Sequence, residues 1–448
     1  MNPKLNKEFI EEIEKLIQEN HDYRIKTKLI SFFPQDIAEL ICLIDFEKAE
    51  YLLKLFEKIN AEILIELDEN TREKFLANFS SKKIANSIIR NLETDDAADL
   101  IQELPNLIQT EVLEEIKNKE YAEDIVDLLS YESQSAGALM AKELIKVKKK
   151  WTVLRCLVEM RKQAKKLEKV YTIYVINDSD QLLGTVSLKT LLLAPEKTLI
   201  ENIYNKNIIS VQTNLKDEEV ANIMNKYDLI ALPVVNDIGK LVGRITIDDI
   251  VDFIKEEAEK DYQIASGILE NIESNDSFFT LIKARIPWLV IGLFGGIIGA
   301  KIVGLFISNE DDIEIAFVPL IAAMAGNIGI QSAALMVQDL ASKKNIISWF
   351  NKFLKEFFVA LFNGLICGIL IFLFCSLFYE NIDNYFPLKM SISLVAVMIY
   401  AALFGNFIPL FFHKININPA LATGPFITTM NDVVGLFIYF IICNYFFI

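Results

Sequence analysis

Histidine is nearly absent from this 448-residue chain, which has only His21 and His413. Cysteine is scarce as well: Cys42, Cys156, Cys367, Cys375 and Cys443, an odd number with no CxxC pair. These shortages exclude a zinc finger or ribbon and argue against a disulfide framework, so the five thiols read as small buried hydrophobes. Basic residues are outnumbered, and a net charge of −16 excludes a basic nucleic-acid binder. No nucleophile–base pair, P-loop or HExxH helix occurs, so no enzyme is expected. Met1–Glu19 is charged and amphipathic and lacks the apolar stretch of a signal peptide.

What the chain has in abundance is apolar sequence, and it is unevenly placed. Mean hydropathy is +0.31, high for a soluble protein and low for one wholly in a membrane. The nine basic and nine acidic residues from Phe278 onward cancel, so the whole net charge lies in the first 277 residues. An acidic water-soluble region followed by a membrane region is expected. Five apolar stretches, near 286–307, 314–337, 354–379, 390–412 and 424–447, each reach the roughly 20 residues that span a hydrocarbon core. Lys283, Arg285, Lys343, Lys344, Lys352, Lys355 and Lys414 fall on one side of this pattern. The loops on the other side carry Glu310, Asp311, Asp312 and Glu314, then Glu380, Asp383 and Lys389. The positive-inside rule then puts the N-terminus in the cytoplasm and the C-terminus outside.

Asp432 lies about nine residues into the fifth span, or roughly 13 Å at 1.5 Å per residue, near the bilayer centre. An ionised carboxylate there is costly unless hydrated or paired, and Lys301, the lysine inside a span, lies close to the outer end. Asp432 therefore reads as facing water or a cation, and it reads as the only acid deep in the spans. A protonated packing aspartate is the alternative. The second span adds Ala325, Gly326, Asn327, Gly329 and Gln331, small residues and uncharged amides that suit close helix approach or a hydrated ion. Asn418, Pro419 and Ala420, then Gly424 and Pro425, break the chain before the fifth span and free carbonyls. Carbonyls with one carboxylate form a hard-oxygen site for Mg²⁺, Ca²⁺ or Mn²⁺.

The soluble region holds an internal repeat. Thr172–Asn177 and Leu182–Ser187 correspond to Ala231–Asn236 and Leu241–Thr246, with Gly184 and Gly243 59 residues apart. The order helix, strand, turn, strand, helix, repeated at this period, is a tandem α/β module. Residues 1–133 read instead as short helices, with Ile37, Leu40 and Ile41, Leu52, Leu53 and Phe56, Ile63, Leu64 and Leu67, and Ile84, Ile88 and Ile89 at helical spacing. Pro34, Asp45, Asp68 and Pro105 punctuate them, and a small superhelix is expected.

Three motifs carry a resemblance over nearly the whole chain: Pro319-Leu-Ile-Ala-Ala-Met-Ala-Gly-Asn-Ile-Gly-Ile-Gln-Ser332, Asn418-Pro-Ala-Leu-Ala-Thr-Gly-Pro425, and Asn431-Asp-Val-Val-Gly435 followed by Tyr439. With the order of the parts, they resemble the MgtE family of magnesium channels and transporters. The resemblance implies a multidomain chain: a helical, superhelical N-domain (1–133), two α/β CBS domains (136–196 and 197–253), a connecting or plug helix (254–280) and a five-helix transmembrane domain (281–448). It implies a homodimer in the plasma (inner) membrane with an ion pore between subunits, lined by the second and fifth spans, serving magnesium uptake and homeostasis. Asp432, Ala325, Gly326, Asn327, Gln331, Asn418, Ala420 and Gly424 are the pore residues so implied. Regulatory Mg²⁺ is implied at acidic interfaces, for which Asp95, Asp99, Glu218, Asp228, Asp249, Asp252, Glu257 and Asp261 are the candidates. Solvated acidic helix faces are the competing reading of these residues.

Some positions depart from the family pattern. Asn418 stands where aspartate is common, Ala325 where glycine is, Gln338 where a basic residue is, and Lys260 falls among acids. Thr190 replaces the aspartate that often ends the CBS nucleotide motif, whereas Asp249 keeps it, so ATP enters only as a weakened ligand candidate. Rival readings are a secondary carrier for Mg²⁺, Co²⁺ or Mn²⁺, favoured less because a proton-relay chain is lacking, and a membrane-anchored nucleotide sensor.

Overall fold

The computed structural model describes residues 5–56, 59–167, 169–269, 272, 278–306, 313–341, 349–379 and 384–445. Two compact units divide the chain, Met1–Ile254 and Lys255–Ile448.

The first unit opens with short helices: α1 (Lys7–Gln18), α2 (Asp22–Leu29), α3 (Pro34–Leu43), α4 (Phe46–Leu55), α5 (Asn60–Ile65), α6 (Glu69–Leu76), α7 (Ser81–Lys83), α8 (Thr94–Gln102), α9 (Asn106–Glu115) and α10 (Lys119–Leu129). Capping residues explain where they start. The side chains of Asn6 and Asp68 accept from Phe9 N and Thr71 N at 2.8 Å, and Pro34 opens α3 at the position where a missing N–H costs nothing. Leu40, Leu52, Leu53, Ile63, Leu64, Ile88 and Ile89 all point inward and are buried. Each fully buried aliphatic side chain contributes about 1.5–3 kcal/mol. A wide π turn at Ile84–Ile88 and a tight turn at Ile89–Asn91 interrupt the packing. Tyr121 of α10 donates its hydroxyl to the Ile89 and Leu92 carbonyls at 2.7 and 2.9 Å, satisfying acceptors beside that irregular turn.

The repeat then folds twice the same way. Strands β1 (Ile145–Lys148), β2 (Ile173–Ile176) and β3 (Leu182–Val186) form one sheet, with α11 (Val153–Gln163) and α12 (Leu188–Leu193) beside them in sequence. Strands β4 (Val211–Gln212), β5 (Ala231–Val235) and β6 (Leu241–Thr246) form the other, with α13 (Asp217–Lys226) and α14 (Ile247–Ala265). In each sheet the first pair is parallel and the second antiparallel. Val175 faces Gly184 and Val234 faces Gly243, with an irregularity just after each pair, so the 59-residue spacing is also an identity of register. Pro233 is tolerated in a middle strand because β4 pairs only with Val234 and Val235, beyond it. The second sheet shares one continuous core with the N-terminal helices, and the first has its own around Val147, Val175 and Val186.

In the second unit α15 (Phe278–Phe306), α16 (Val318–Ala341), α17 (Trp349–Phe378), α18 (Phe386–Lys414) and α19 (Gly424–Tyr445) are all long and apolar enough to cross a membrane. Even α19, with 22 residues, spans about 33 Å at 1.5 Å per residue. This is a five-span membrane domain. α18 carries an inward row of Leu394, Val397, Met398, Ala401 and Ala402. Outward residues such as Leu289, Phe294, Ile366 and Leu370 are exposed, as lipid contact requires. Glu310, Asp311, Asp312, Lys343, Lys344, Glu380 and Asp383, on which the orientation was read, lie outside the described residues.

Candidate functional site

In the membrane unit the second and fifth spans meet on small residues. Ala325, Gly326, Gly329, Ser332 and Ala333 form a buried face of α16. A Cβ on Gly326 would stand 3.4 Å from the Thr428 methyl of α19, and Gly435 of α19 lies against Ala325. A bulkier pair would separate the helices. Asp432 follows one turn after Thr428 on α19, half-buried, and its carboxylate has no hydrogen bond or ion pair among the described residues. Asn327 and Gln331, four residues apart, are exposed on a different stripe of α16, shared with Gln338. Within one chain they are therefore apart from the Ala325–Gly326 face that meets α19.

Asn418, Ala420 and Gly424 occupy the break before α19. Asn418 Oδ1 accepts from Ala420 N at 2.8 Å, which caps the short Pro419–Ala422 turn, and its Nδ2 donates to Asp261 Oδ1 at 3.1 Å. Gly424 adopts φ +42°, and a Cβ there would meet the Ala265 carbonyl oxygen at 2.2 Å. The C-terminal end of α14 thus sits against the entrance to α19, held by the Asn418 amide, where an aspartate would face Asp261 with like charge. Here the amide does directly what two carboxylates could do only through a cation.

The sequence reading missed Glu356. It had the third span start at 354, whereas α17 begins at Trp349, which puts Glu356 two turns into the helix. Ser332 of α16 donates to Glu356 Oε1 at 2.6 Å, so Asp432 is not the only acid on the spanning helices. The signal was present in the charged start of the segment, where Lys352 pairs with Asp339 at 3.0 Å.

In the first unit the structure gathers acids around the start of α8. Asp95 is half-buried, and burial, then the Asp249 and Asp96 charges, push its carboxyl well above the ordinary range. Asp96 is pushed up to about 7 by burial, then by the charges of Asp249, Asp99 and Glu93. Burial also raises Asp249. One guanidinium answers them: buried Arg244 pairs with Glu93 at 2.9 Å. Glu143 accepts from Thr94 N and Oγ1 at 3.3 and 2.7 Å. Asp96, Glu93, Glu143 and Arg244 were not singled out by sequence, since only folding brings residues about 150 positions apart together.

Asp249 has a second role. Its Oδ2 accepts from Thr246 N and Oγ1 at 3.1 and 2.5 Å, a helix cap that starts α14. Ser187 and Thr190 make the corresponding contact 59 residues earlier at 2.8 Å, so Thr190 keeps the cap and drops the charge. Asp99 is exposed on α8, and Asp252 is exposed on α14. Glu257 pairs with Lys260 at 2.9 Å. Glu218 lies in the first turn of α13, and Asp228 lies two residues beyond its end, in a turn at φ +51°. Among the described residues no three His, Cys, Asp or Glu side chains converge closely enough to hold one metal ion.

Five helices long and apolar enough to span, with Asp432 beside a small-residue contact between two of them and an acid-rich region before them, define a multi-span membrane protein. Residues 318–442 match the family model described as a divalent cation transporter, 32–134 the MgtE intracellular N domain, and 136–197 and 200–256 the CBS domain. The Bacillus subtilis magnesium transporter MgtE is 30% identical over 402 residues, 88% of this chain and 87% of that one. The Thermus thermophilus magnesium transporter MgtE is 30% identical over 437 residues, 95% of this chain and 96% of that one. A crystal structure of the cytosolic domain of the Mg²⁺ channel MgtE in complex with ATP is 30% identical, with TM-score 0.51, covering 55% of this chain and 99% of that one. The chain belongs to the MgtE family of magnesium transporters.

Proposed function

We propose that this protein is a Mg²⁺-selective channel of the cytoplasmic (inner) membrane, working as a homodimer and closed by cytosolic Mg²⁺. The observation that carries the pore reading is Asp432: a carboxylate without a protein partner among the described residues, on a spanning helix packed against the small face of α16. Mg²⁺ gives up its water reluctantly. A carboxylate from each subunit would attract the hydrated ion through its shell, and Ala325 and Gly326 leave room for that shell. The exposed Asn327 and Gln331 stripe supports a second copy or water facing α16. Asn418, Ala420 and Gly424 would form the inner mouth, where the end of α14 serves as the plug.

For the regulatory ion, Asp95, Asp96 and Asp249 do not converge on one point, so a hydrated divalent cation would act on their repulsion through its charge and water shell, not through three direct bonds. A divalent cation there would neutralise the cluster and favour the compact arrangement of the unit. It shifts that equilibrium only by its differential affinity for the two states. Asp99, Glu218, Asp228, Asp252, Glu257 and Asp261 remain outer participants in this reading. ATP is secondary, because Thr190 stands in the first copy where Asp249 supplies a carboxylate in the second.

A carrier is the second reading, and Glu356 on Ser332 is the observation that favours it, as a further carboxylate beside the pore helix. Mg²⁺ uptake into proteoliposomes with a negative-inside voltage and no pH or sodium gradient tests the two. Uptake that Asp432→Ala lowers on the order of 100-fold supports the channel, a loss of ~3 kcal/mol that matches the cost of one intramembrane charge. Uptake that begins only when a proton or sodium gradient is added supports the carrier.

A further inference from the structure

The pore reading leaves the residue beside Asp432 without a role. We propose that Asn431 is a positioning residue for the ion pathway: its side-chain amide clamps the α16 backbone and sets how α16 and α19 face each other. The inference rests on the pore reading above.

Asn431 is fully buried, and its Nδ2 donates to the Ala325 carbonyl oxygen at 3.1 Å. That carbonyl is also the helical acceptor for the N–H of Gly329, four residues on. The amide therefore lies across one turn of α16, and only glycine makes room for it: a Cβ on Gly329 would stand 2.1 Å from Nδ2. The opposite approach to this turn is just as tight. A Cβ on Gly405 of α18 would meet the Gly329 carbonyl oxygen at 2.3 Å. One turn of the pore helix is thus gripped by α19 and α18 together.

The chemistry says which half of the amide matters. Asn431 Oδ1 is buried with no hydrogen-bond partner among the described residues, a cost that an apolar side chain would avoid. The position uses the donor. Asp432 is the next residue, about 100° further round the helix. A clamp at Asn431 therefore fixes the rotation of α19 as well as its distance from α16, and so fixes where the Asp432 carboxylate stands relative to Gly326. Selection of a hydrated ion by the size of its shell depends on that spacing.

Asn431→Leu, which keeps the bulk and removes the donor, and Gly329→Ala, which displaces the amide, are assayed in proteoliposomes beside Asp432→Ala. The readout is the ratio of Mg²⁺ to Ca²⁺ uptake, which the amount of folded protein does not move. Each of the two variants is expected to lower the ratio at least threefold, and the double variant to match Asn431→Leu alone, because both act on one contact. A wild-type ratio in both single variants, with only total uptake reduced, overturns the inference. If Asn431→Leu fails to insert, Gly329→Ala alone decides by the same ratio. Loss of flux in Asp432→Ala with a wild-type ratio in the clamp variants overturns the clamp alone; normal flux in Asp432→Ala overturns the pore reading beneath it.

Discussion

The two units of this chain handle carboxylates in opposite ways. The membrane unit leaves two of its spanning-helix carboxylates without an ion pair among the described residues: Asp432 has no protein partner there, and Glu356 accepts from Ser332. The first unit crowds them, with Asp95, Asp96, Asp249, Glu93 and Glu143 near one buried arginine. An isolated carboxylate in an apolar setting attracts a cation and releases it again, because nothing else holds the ion. A crowded set stays under strain until something neutralises it. The first arrangement suits passage and the second suits sensing.

Removing charge should therefore break the two units differently. The largest effect is expected at Asp432, as stated above, with flux lost and the cytosolic response to Mg²⁺ intact. Next comes the cluster. Asp95→Asn with Asp249→Asn is expected to abolish the protection of the first unit from protease by millimolar Mg²⁺ and to leave flux at low internal Mg²⁺ unchanged. Limited proteolysis with and without Mg²⁺ reads this directly. Protection equal to wild type would count against the cluster as the sensor.

A pH effect of intermediate size sharpens the same contrast. Asp96 is pushed up from 3.8 to about 7 in the folded unit. The folded unit thus keeps a proton that the unfolded chain has released. Metal-free stability falls as pH rises from 3.8 to about 7, because there the native state binds more protons. Mg²⁺ should restore it most strongly above pH 7, where it no longer competes with protons. Thermal melts of the protein across this range, with and without Mg²⁺, give the sign. The smallest effect is expected at Lys260. Its pair with Glu257 is partly exposed and worth less than ~1 kcal/mol, so Lys260→Ala should tighten the Mg²⁺ dependence of protection by under about fivefold.

Much of the architecture was legible because it is periodic. Five apolar runs of spanning length became five helices, and a 59-residue repeat became two sheets in the same register. The short N-terminal helices announced themselves through apolar residues at helical spacing and turn residues such as Pro34 and Asp68. What stayed hidden depends on approach between distant segments. Nothing local in the sequence says that Arg244 meets Glu93, that Ser332 meets Glu356, or that the Asn431 amide rests on Ala325. Helix ends were also read too short, since charged first turns such as that of α17 look like loops by hydropathy alone.

The division of labour between the two kinds of carboxylate is tested most directly by one comparison. Mg²⁺ flux is measured at low and at high internal Mg²⁺ for wild type, Asp432→Ala and Asp95→Asn/Asp249→Asn. The account predicts that wild type conducts at low internal Mg²⁺ and shuts at high. Asp432→Ala should conduct at neither, and the cluster variant should match wild type at low internal Mg²⁺ and fail to shut at high. Flux through Asp432→Ala, or a cluster variant that still closes as wild type does, would contradict it.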